Sequence, residues 1–184
     1  QSREFKTQTG SYKGKRLSVI STGIGSDNID IVINELDALV NIDFETREIK
    51  ARKTSLSIIR IGTSGALQPD IDVDSFVLSR YGMDINGMLQ SYKVDAIKHA
   101  DIENAFVSHT QWSPQKPYPV IIKNSQTLED LLKSDQTIFG MTATCGGFYG
   151  PQGRVLRLEL QDESLNHKMD SFDYKGLKVT NFEM

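Results

Sequence analysis

The sequence is poor in the residues that build disulfides, metal centres and membrane spans. Its 184 residues include one cysteine, Cys145, which excludes an internal disulfide. Three histidines, at 99, 109 and 167, have no cysteine cluster to complete a zinc site. No apolar run approaches the length of a membrane-spanning helix, and the start QSREFKTQTG lacks the apolar core of a signal peptide. A reducing, cytoplasmic compartment is the expectation that follows.

An excess of positive charge is also missing. The chain carries 21 Lys and Arg against 24 Asp and Glu, a formal net charge of −3. Proteins that hold nucleic acid neutralise many phosphates with a basic surface, so the net charge argues against this class. Any phosphate bound here is expected to be a single small anion. With 38% hydrophobic residues, the length predicts one globular domain over residues 1–184.

What the chain does contain is an alternation of β-rich runs and helical patterns. Strands are predicted at 17–21, 56–62, 74–80 and 136–147, and a capped helix within 124–135. After the first strand and a Gly-rich turn, a helical face is predicted that packs on a sheet, formed by Ile29, Val32, Ile33, Leu36 and Val40. Residues 81–119 are interpreted as an excursion with little regular structure. Together these predict an α/β fold, a three-layer α/β/α sandwich with a mixed, mainly parallel central sheet.

The turn TGIG at 22–25 is the first of three strand ends that collect small or polar residues. Gly25 allows close backbone approach, and the helix that follows presents its positive dipole end to an anion. Such a turn is more often ordinary turn chemistry than a phosphate site. On this motif alone, phosphate binding is the less favoured interpretation.

The second strand end, RIGTSGA, places Arg60 after an apolar run, where a guanidinium is costly unless it meets an anion. Thr63 and the backbone around Ser64 and Gly65 add further donors, which suits a tetrahedral oxyanion. The alternative is that Arg60 pairs with a structural carboxylate.

The third strand end, GFYGPQGR, combines Phe148, Gln152 and Arg154. Glutamine donates and accepts in one plane while arginine only donates, so the pair suits a heterocycle edge with carbonyl and N–H groups. Phe148 suits packing on a flat ring or a sugar. The alternative is a surface turn in which Phe148 belongs to the core.

Four motifs together carry a family resemblance: STGIG, RIGTSGALQP, FYxxQxR and the final NFEM. Their order and most of their spacings resemble the uridine phosphorylase branch of the nucleoside phosphorylase family over nearly the whole chain. The Q-x-R element separates this branch from the purine phosphorylases. The resemblance implies reversible phosphorolysis of a nucleoside, with uridine expected, to free base and ribose 1-phosphate. Phosphate is then the co-substrate, and no redox cofactor is implied.

The resemblance also implies roles for individual residues. Arg60, Thr63 and Arg154 are the implied catalytic groups. Phosphate binding is implied for Gly25, Arg60 and Thr63, and for Arg3 reaching into a neighbouring subunit, hence a homo-oligomer such as a dimer or a trimer of dimers. Base binding is implied for Phe148, Gln152 and Arg154, and ribose binding for Thr63, Glu183 and Met184. Some relatives hold a monovalent cation between subunits, and the resemblance leaves open a K⁺ site near Glu4, Ile24 and Asn28.

Departures from the family pattern leave other interpretations open. The family's Gly-Asp-Pro-x-Arg loop and its histidine for the sugar 5′-hydroxyl would lie before Gln1, and the second Glu of its Glu-Met-Glu signature after Met184. Both ends of the chain therefore look cut. The stretch between Gly65 and Phe148 is also longer than in the bacterial enzymes. A purine or methylthioadenosine phosphorylase or nucleosidase, and a catalytically inactive nucleoside-binding relative, are the alternatives.

Overall fold

The computed structural model describes residues 5–184, which form two compact units, one reaching to Ile58 and one from Ile59 to Met184. Arg3 and Glu4, to which the resemblance gives roles, lie outside the described residues. No helix within 5–184 is both long and apolar enough to cross a bilayer.

The amino-terminal unit begins with a hairpin of strands β1 (Lys6–Tyr12) and β2 (Lys15–Ser21). Lys13 and Gly14 both take positive φ, 48° and 75°, in the two-residue turn, as a hairpin of this twist requires. Helix α1 (Ser26–Asn41) follows, so the predicted strand, Gly-rich turn and helix are confirmed. A second antiparallel pair, β3 (Ile42–Asp43) and β4 (Glu48–Ile49), follows the helix. The apolar face predicted on α1 is only partly buried, and Ile33 on it is exposed.

The carboxy-terminal unit is built on a mixed sheet with strand order β5-β10-β8-β6-β7, and β9 pairs with β10. The three long strands at its centre run parallel to one another, and the short edge strands β5 and β7 are antiparallel to their neighbours. The strands are β5 (Gly65–Ala66), β6 (Phe76–Asp84), β7 (Val120–Lys123), β8 (Thr137–Thr144), β9 (Asp173–Tyr174) and β10 (Leu177–Glu183). The helices are α2 (Ala100–Thr110), α3 (Gln126–Leu132) and α4 (Leu165–Asp170), with single 3₁₀ turns at Met88–Ser91 and Gly150–Gln152.

The core of this unit lies between the sheet and helices α2 and α4. Strand side chains such as Met83, Met141 and Val179 are fully buried there, against Phe106 of α2 and Met169 of α4. Phe106 also packs edge-on against Phe172, with ring centroids 5.3 Å apart. Strands β8 and β10 pair in parallel as far as Thr144 and Glu183. The α/β class with a mixed, mainly parallel sheet is therefore confirmed.

Local signals explain the elements that were predicted correctly. Ser125 caps α3 by accepting a hydrogen bond from the backbone N–H of Leu128, and β8 carries the buried run at 140–143. The predicted strand 74–80 forms as β6, which begins at Phe76 and continues to Asp84 because it pairs with β8 on one side and β7 on the other.

Two element predictions were wrong. Residues 56–62 form no strand: within the described chain only Gly65 and Ala66 of this region pair with β10, and Ile61 is 91% exposed. An apolar run becomes a strand only where a neighbouring strand supplies hydrogen bonds. The excursion 81–119 contains the end of β6 and all of α2, whose Ile102 and Phe106 lie one turn apart and face the core. Only two large apolar residues mark the inner face of α2, so the helical periodicity in the sequence is too weak to predict this helix.

Candidate active site

The site is built at the carboxyl ends of the parallel strands β8 and β10, where the segment 60–66 and the turn 146–154 meet them. Thr144 ends β8 and is the register partner of Glu183 at the end of β10. Arg60 reaches Glu183, and Arg154 reaches Gly65. Ligands of open α/β sheets bind at this edge.

Arg60 lies in the irregular segment 53–64 and is about 40% exposed at its side chain. Its Nη1 donates to Oε2 of Glu183 in an ion pair, while Oε1 of Glu183 accepts a hydrogen bond of 2.9 Å from Oγ1 of Thr144. The structure thus shows the carboxylate pairing that the sequence left open as the alternative for Arg60. The same guanidinium still has N–H groups left to meet an anion.

The turn 148–154 gathers the three predicted base-binding residues. Gly153 takes a left-handed φ of 70°, and the backbone N–H of Arg154 donates to the carbonyl of Tyr149 at 2.9 Å. The Cζ of Arg154 then lies 4.6 Å from the ring centroid of Phe148, a cation–π contact. Phe148 is 51% exposed, which rules out the alternative of a core phenylalanine.

Gln152 is the buried member of this turn, with 2% of its surface exposed. Among the described residues 5–184, its Oε1 is buried and accepts no hydrogen bond. A buried amide oxygen without a donor costs free energy, so such atoms usually meet a ligand or water. The chemistry of this atom suits an N–H donor arriving from a bound molecule.

Gly65 connects the two arginine-bearing segments. A Cβ placed on it would lie 2.8 Å from Nη2 of Arg154, closer than such atoms approach. The absence of a side chain at Gly65 therefore lets the Arg154 guanidinium lie against the strand end, and the RIGTSGA motif and the QxR motif meet at this contact.

Cys145 lies directly behind the site, fully buried, and its backbone N–H donates to the carbonyl of Glu183 at 3.0 Å. Burial, with a smaller contribution from the Glu183 carboxylate and an opposing one from Arg154, raises the pKa of its thiol to about 12. The thiol is neutral near pH 7, so Cys145 is not a nucleophile.

A ladder of polar side chains, which sequence reasoning missed, crosses the sheet toward the site. Ser79 of β6 bonds to Thr142 of β8, Thr142 donates to Asn181 of β10 at 3.0 Å, and Asn181 donates to Oγ of Ser64 at 2.9 Å. Ser64 is thereby fixed next to Thr63, the predicted ligand of phosphate and ribose. The sequence signal that could have indicated these hydrogen bonds is the presence of polar residues inside otherwise apolar strands.

Gly25 belongs to the amino-terminal unit, where it is the N-cap of α1 with a φ of 103° that favours glycine. One turn on, Nδ2 of Asn28 donates to the carbonyl of Ile24 at 3.2 Å. Within residues 5–184 no three acidic, cysteine or histidine side chains cluster as a metal ion would require. The phosphate role of Gly25 and the K⁺ site near Ile24 and Asn28 stay predictions.

A cavity of about 380 Å³ borders the backbone of the turn 146–154. Its walls include Asn86, Trp112 and Lys116 from the region 81–119, and Gly146 and Pro151 from the turn. In the described part of the chain, Phe148, Gln152 and Arg154 are not among its walls.

Comparison with known proteins gives a consistent result. The family model described as the phosphorylase superfamily matches residues 1–184. A curated uridine phosphorylase of Thermococcus kodakarensis is 30% identical over 99% of this chain and 54% of its own length. A DeoD-type purine nucleoside phosphorylase of Caldanaerobacter subterraneus is 41% identical, but over 39% of this chain and 25% of its own length. The chain thus spans about half the length of the first curated relative.

Among solved structures, the Trypanosoma brucei nucleoside phosphorylase, described as showing uridine phosphorylase activity, superposes with a TM-score of 0.81. It is 25% identical, and the match covers 99% of this chain and 67% of that one. A uridine phosphorylase of Vibrio fischeri, 19% identical with a TM-score of 0.58 over 100% of this chain and 58% of its own, shares the fold.

Proposed function

The chain belongs to the phosphorylase superfamily, and from this we propose that the protein containing it catalyses reversible phosphorolysis of a pyrimidine nucleoside, with uridine as the expected substrate. The observation that carries the proposal is the turn 148–154. It combines an exposed aromatic ring, a stacked guanidinium and a buried amide oxygen that lacks a donor. Uracil offers an N–H flanked by two carbonyls, which matches an acceptor beside a donor.

In the proposed reaction a phosphate oxygen attacks C1′ of the ribose while the bond from C1′ to the base breaks. The electron pair of that bond leaves with uracil, which takes up a proton, and ribose 1-phosphate is the second product. The sugar becomes oxocarbenium-like and the base becomes anionic in the transition state, so donors around the base accelerate the step. Arg154 fills that role here, while Arg60 and Thr63 orient phosphate, joined by Gly25 and by the neighbouring subunit's copy of Arg3.

Ribose contacts are assigned to Thr63 and to Met184, which directly follows strand β10. The resemblance alone gives the ribose to Glu183 as well. Support for uridine comes from the Thermococcus relative and the trypanosomal structure, both described as uridine phosphorylases or as having that activity. Support for a purine alternative comes from the DeoD-type relative of Caldanaerobacter subterraneus, which matches a shorter stretch at higher identity.

The test uses the full-length protein, because the chain spans about half of its first curated relative. Release of free base is measured with uridine, inosine and methylthioadenosine, each with and without phosphate. The proposal expects uridine cleavage that depends strictly on phosphate. Cleavage of inosine without cleavage of uridine would favour the purine alternative. Cleavage in the absence of phosphate would indicate a nucleosidase. Binding of a nucleoside without turnover would indicate a catalytically inactive relative.

A further inference from the structure

The carboxylate of Glu183 is held from two sides. Oε1 accepts from the Thr144 hydroxyl at 2.9 Å, and Oε2 accepts from Nη1 of Arg60. Both oxygens therefore have a partner within the protein, and the side chain is about four-fifths buried. These two hydrogen bonds take about half of the lone-pair sites of the carboxylate, so a sugar hydroxyl would have to share it with Arg60 and Thr144.

The two partners of this carboxylate differ in rigidity. Glu183 and Thr144 are register partners on neighbouring parallel strands, and the Glu183 carbonyl also accepts from the backbone of Cys145. Arg60, in contrast, belongs to an irregular segment without strand hydrogen bonds. The Glu183 carboxylate, which the strands hold in place, therefore sets the position of the Arg60 guanidinium.

We propose that Glu183, held by Thr144, is a positioning residue that orients Arg60 toward phosphate, rather than a ligand of the ribose. This inference rests on the proposed function, in which Arg60 binds phosphate. A guanidinium has five N–H donors, and the ion pair uses Nη1, which leaves Nη2 and Nε for the oxyanion. Thr144 acts only through Glu183.

The size of the effect follows from side-chain ordering. A long arginine on an irregular segment occupies many rotamers, and fixing it when the ligand binds weakens affinity by about tenfold. The Glu183 charge also reduces the attraction of Arg60 for an anion. The proposal states that positioning outweighs this repulsion, so removal of the carboxylate weakens phosphate binding.

The experiment measures phosphate binding by titration calorimetry and steady-state kinetics on the full-length protein. Glu183→Gln and Thr144→Val should each raise the Kd and the KM for phosphate about tenfold, while kcat at saturating phosphate changes by less than about threefold. Thr144→Ser keeps the hydroxyl and should restore phosphate affinity. Asp130→Asn, which breaks the surface pair with Lys133, is the control and should leave phosphate affinity unchanged.

The opposing outcomes are distinct. Tighter phosphate binding in Glu183→Gln would show that the carboxylate competes with the anion, and a raised uridine KM with unchanged phosphate affinity would show a ribose ligand. Either result would overturn this inference but leave the proposed function standing. Unchanged phosphate affinity in all variants would do the same. Absence of phosphate binding by the wild type would overturn the proposed function and this inference with it. If Glu183→Gln does not fold, the comparison of Val and Ser at 144 tests the same link.

Discussion

At the residue scale, the two arginines of the candidate site have different surroundings. Arg154 stacks on the exposed ring of Phe148 beside Gly65, and Arg60 pairs with Glu183. The proposed function gives the first to the leaving base and the second to the nucleophile. Substitutions at the two positions should therefore affect different kinetic constants.

Arg154→Ala should lower kcat/KM for uridine by about 30- to 1000-fold, or roughly 2–4 kcal/mol, because a donor to a developing anion is lost. The KM for phosphate should hardly change. Arg60→Ala should instead raise the phosphate KM. Arg154→Lys should recover part of the loss, since it restores a charge without the planar fork. Wild-type uridine turnover in Arg154→Ala would mean that the turn 148–154 does not bind the base.

Cys145 gives a prediction about stability and pH. Burial raises its pKa from 9.0 to about 12, so its contribution to stability is present below pH 9 and is lost as the pH rises toward 12. Between pH 8 and 10 the free energy of unfolding should fall by about 1 kcal/mol more in the wild type than in Cys145→Ala. Urea denaturation at both pH values measures this. Equal losses in the two proteins would mean that the thiol is not buried in solution.

At the scale of elements, helix α3 is tied to strand β6 by one ion pair. Nη2 and Nε of Arg80 donate to Glu129 at 2.8 and 3.1 Å, and Asn124 donates to its other oxygen at 3.1 Å. Glu129 is buried, and the hydrogen bond from Arg80 is the main reason that its pKa lies below the usual value. Arg80 also lies 4.2 Å over the ring of Phe139 in β8.

Glu129→Gln should destabilise the fold by about 1–3 kcal/mol at pH 7, because it leaves a partly buried guanidinium without its counter-charge. The difference from wild type should shrink as the pH falls below 4.5, where a carboxylate with a lowered pKa loses its stabilising contribution. Asp130→Asn on the same helix, whose partner Lys133 is half exposed, should show no measurable change. Equal effects of the two substitutions at pH 7 would contradict the role of the buried pair.

At the scale of the whole molecule, the proposed function predicts a second subunit, because Arg3 is expected to enter the neighbour's phosphate site. Full-length Arg3→Ala and Arg60→Ala should each be impaired as pure proteins. Co-expression should restore about a quarter of wild-type activity, since half of randomly formed dimers then contain one intact site. Sedimentation velocity should show at least a dimer. No recovery on mixing, or a monomer at micromolar concentration, would contradict a shared site.

Elements with local signals follow from the amino-acid sequence alone. The apolar spacing from Ile29 to Val40 predicted α1, the capped helical pattern within 124–135 predicted α3, and the apolar run within 136–147 predicted β8. Each depends on a chain's own periodicity or turn chemistry. The motifs STGIG, RIGTSGALQP, FYxxQxR and NFEM together likewise indicated the family, which the family model confirms.

Features that depend on partners distant in sequence follow from the folded chain. The apolar run 56–62 reads as a strand, yet it has no neighbouring strand within the described residues, and strand formation requires one. Arg60 lies at the end of this run, but its partner Glu183 is 123 residues away, and no local pattern encodes that contact. The register of β8 against β10 brings Thr144 to Glu183 and so completes the site. Periodicity predicts which face of an element is apolar, whereas pairing and register follow from packing across the whole chain.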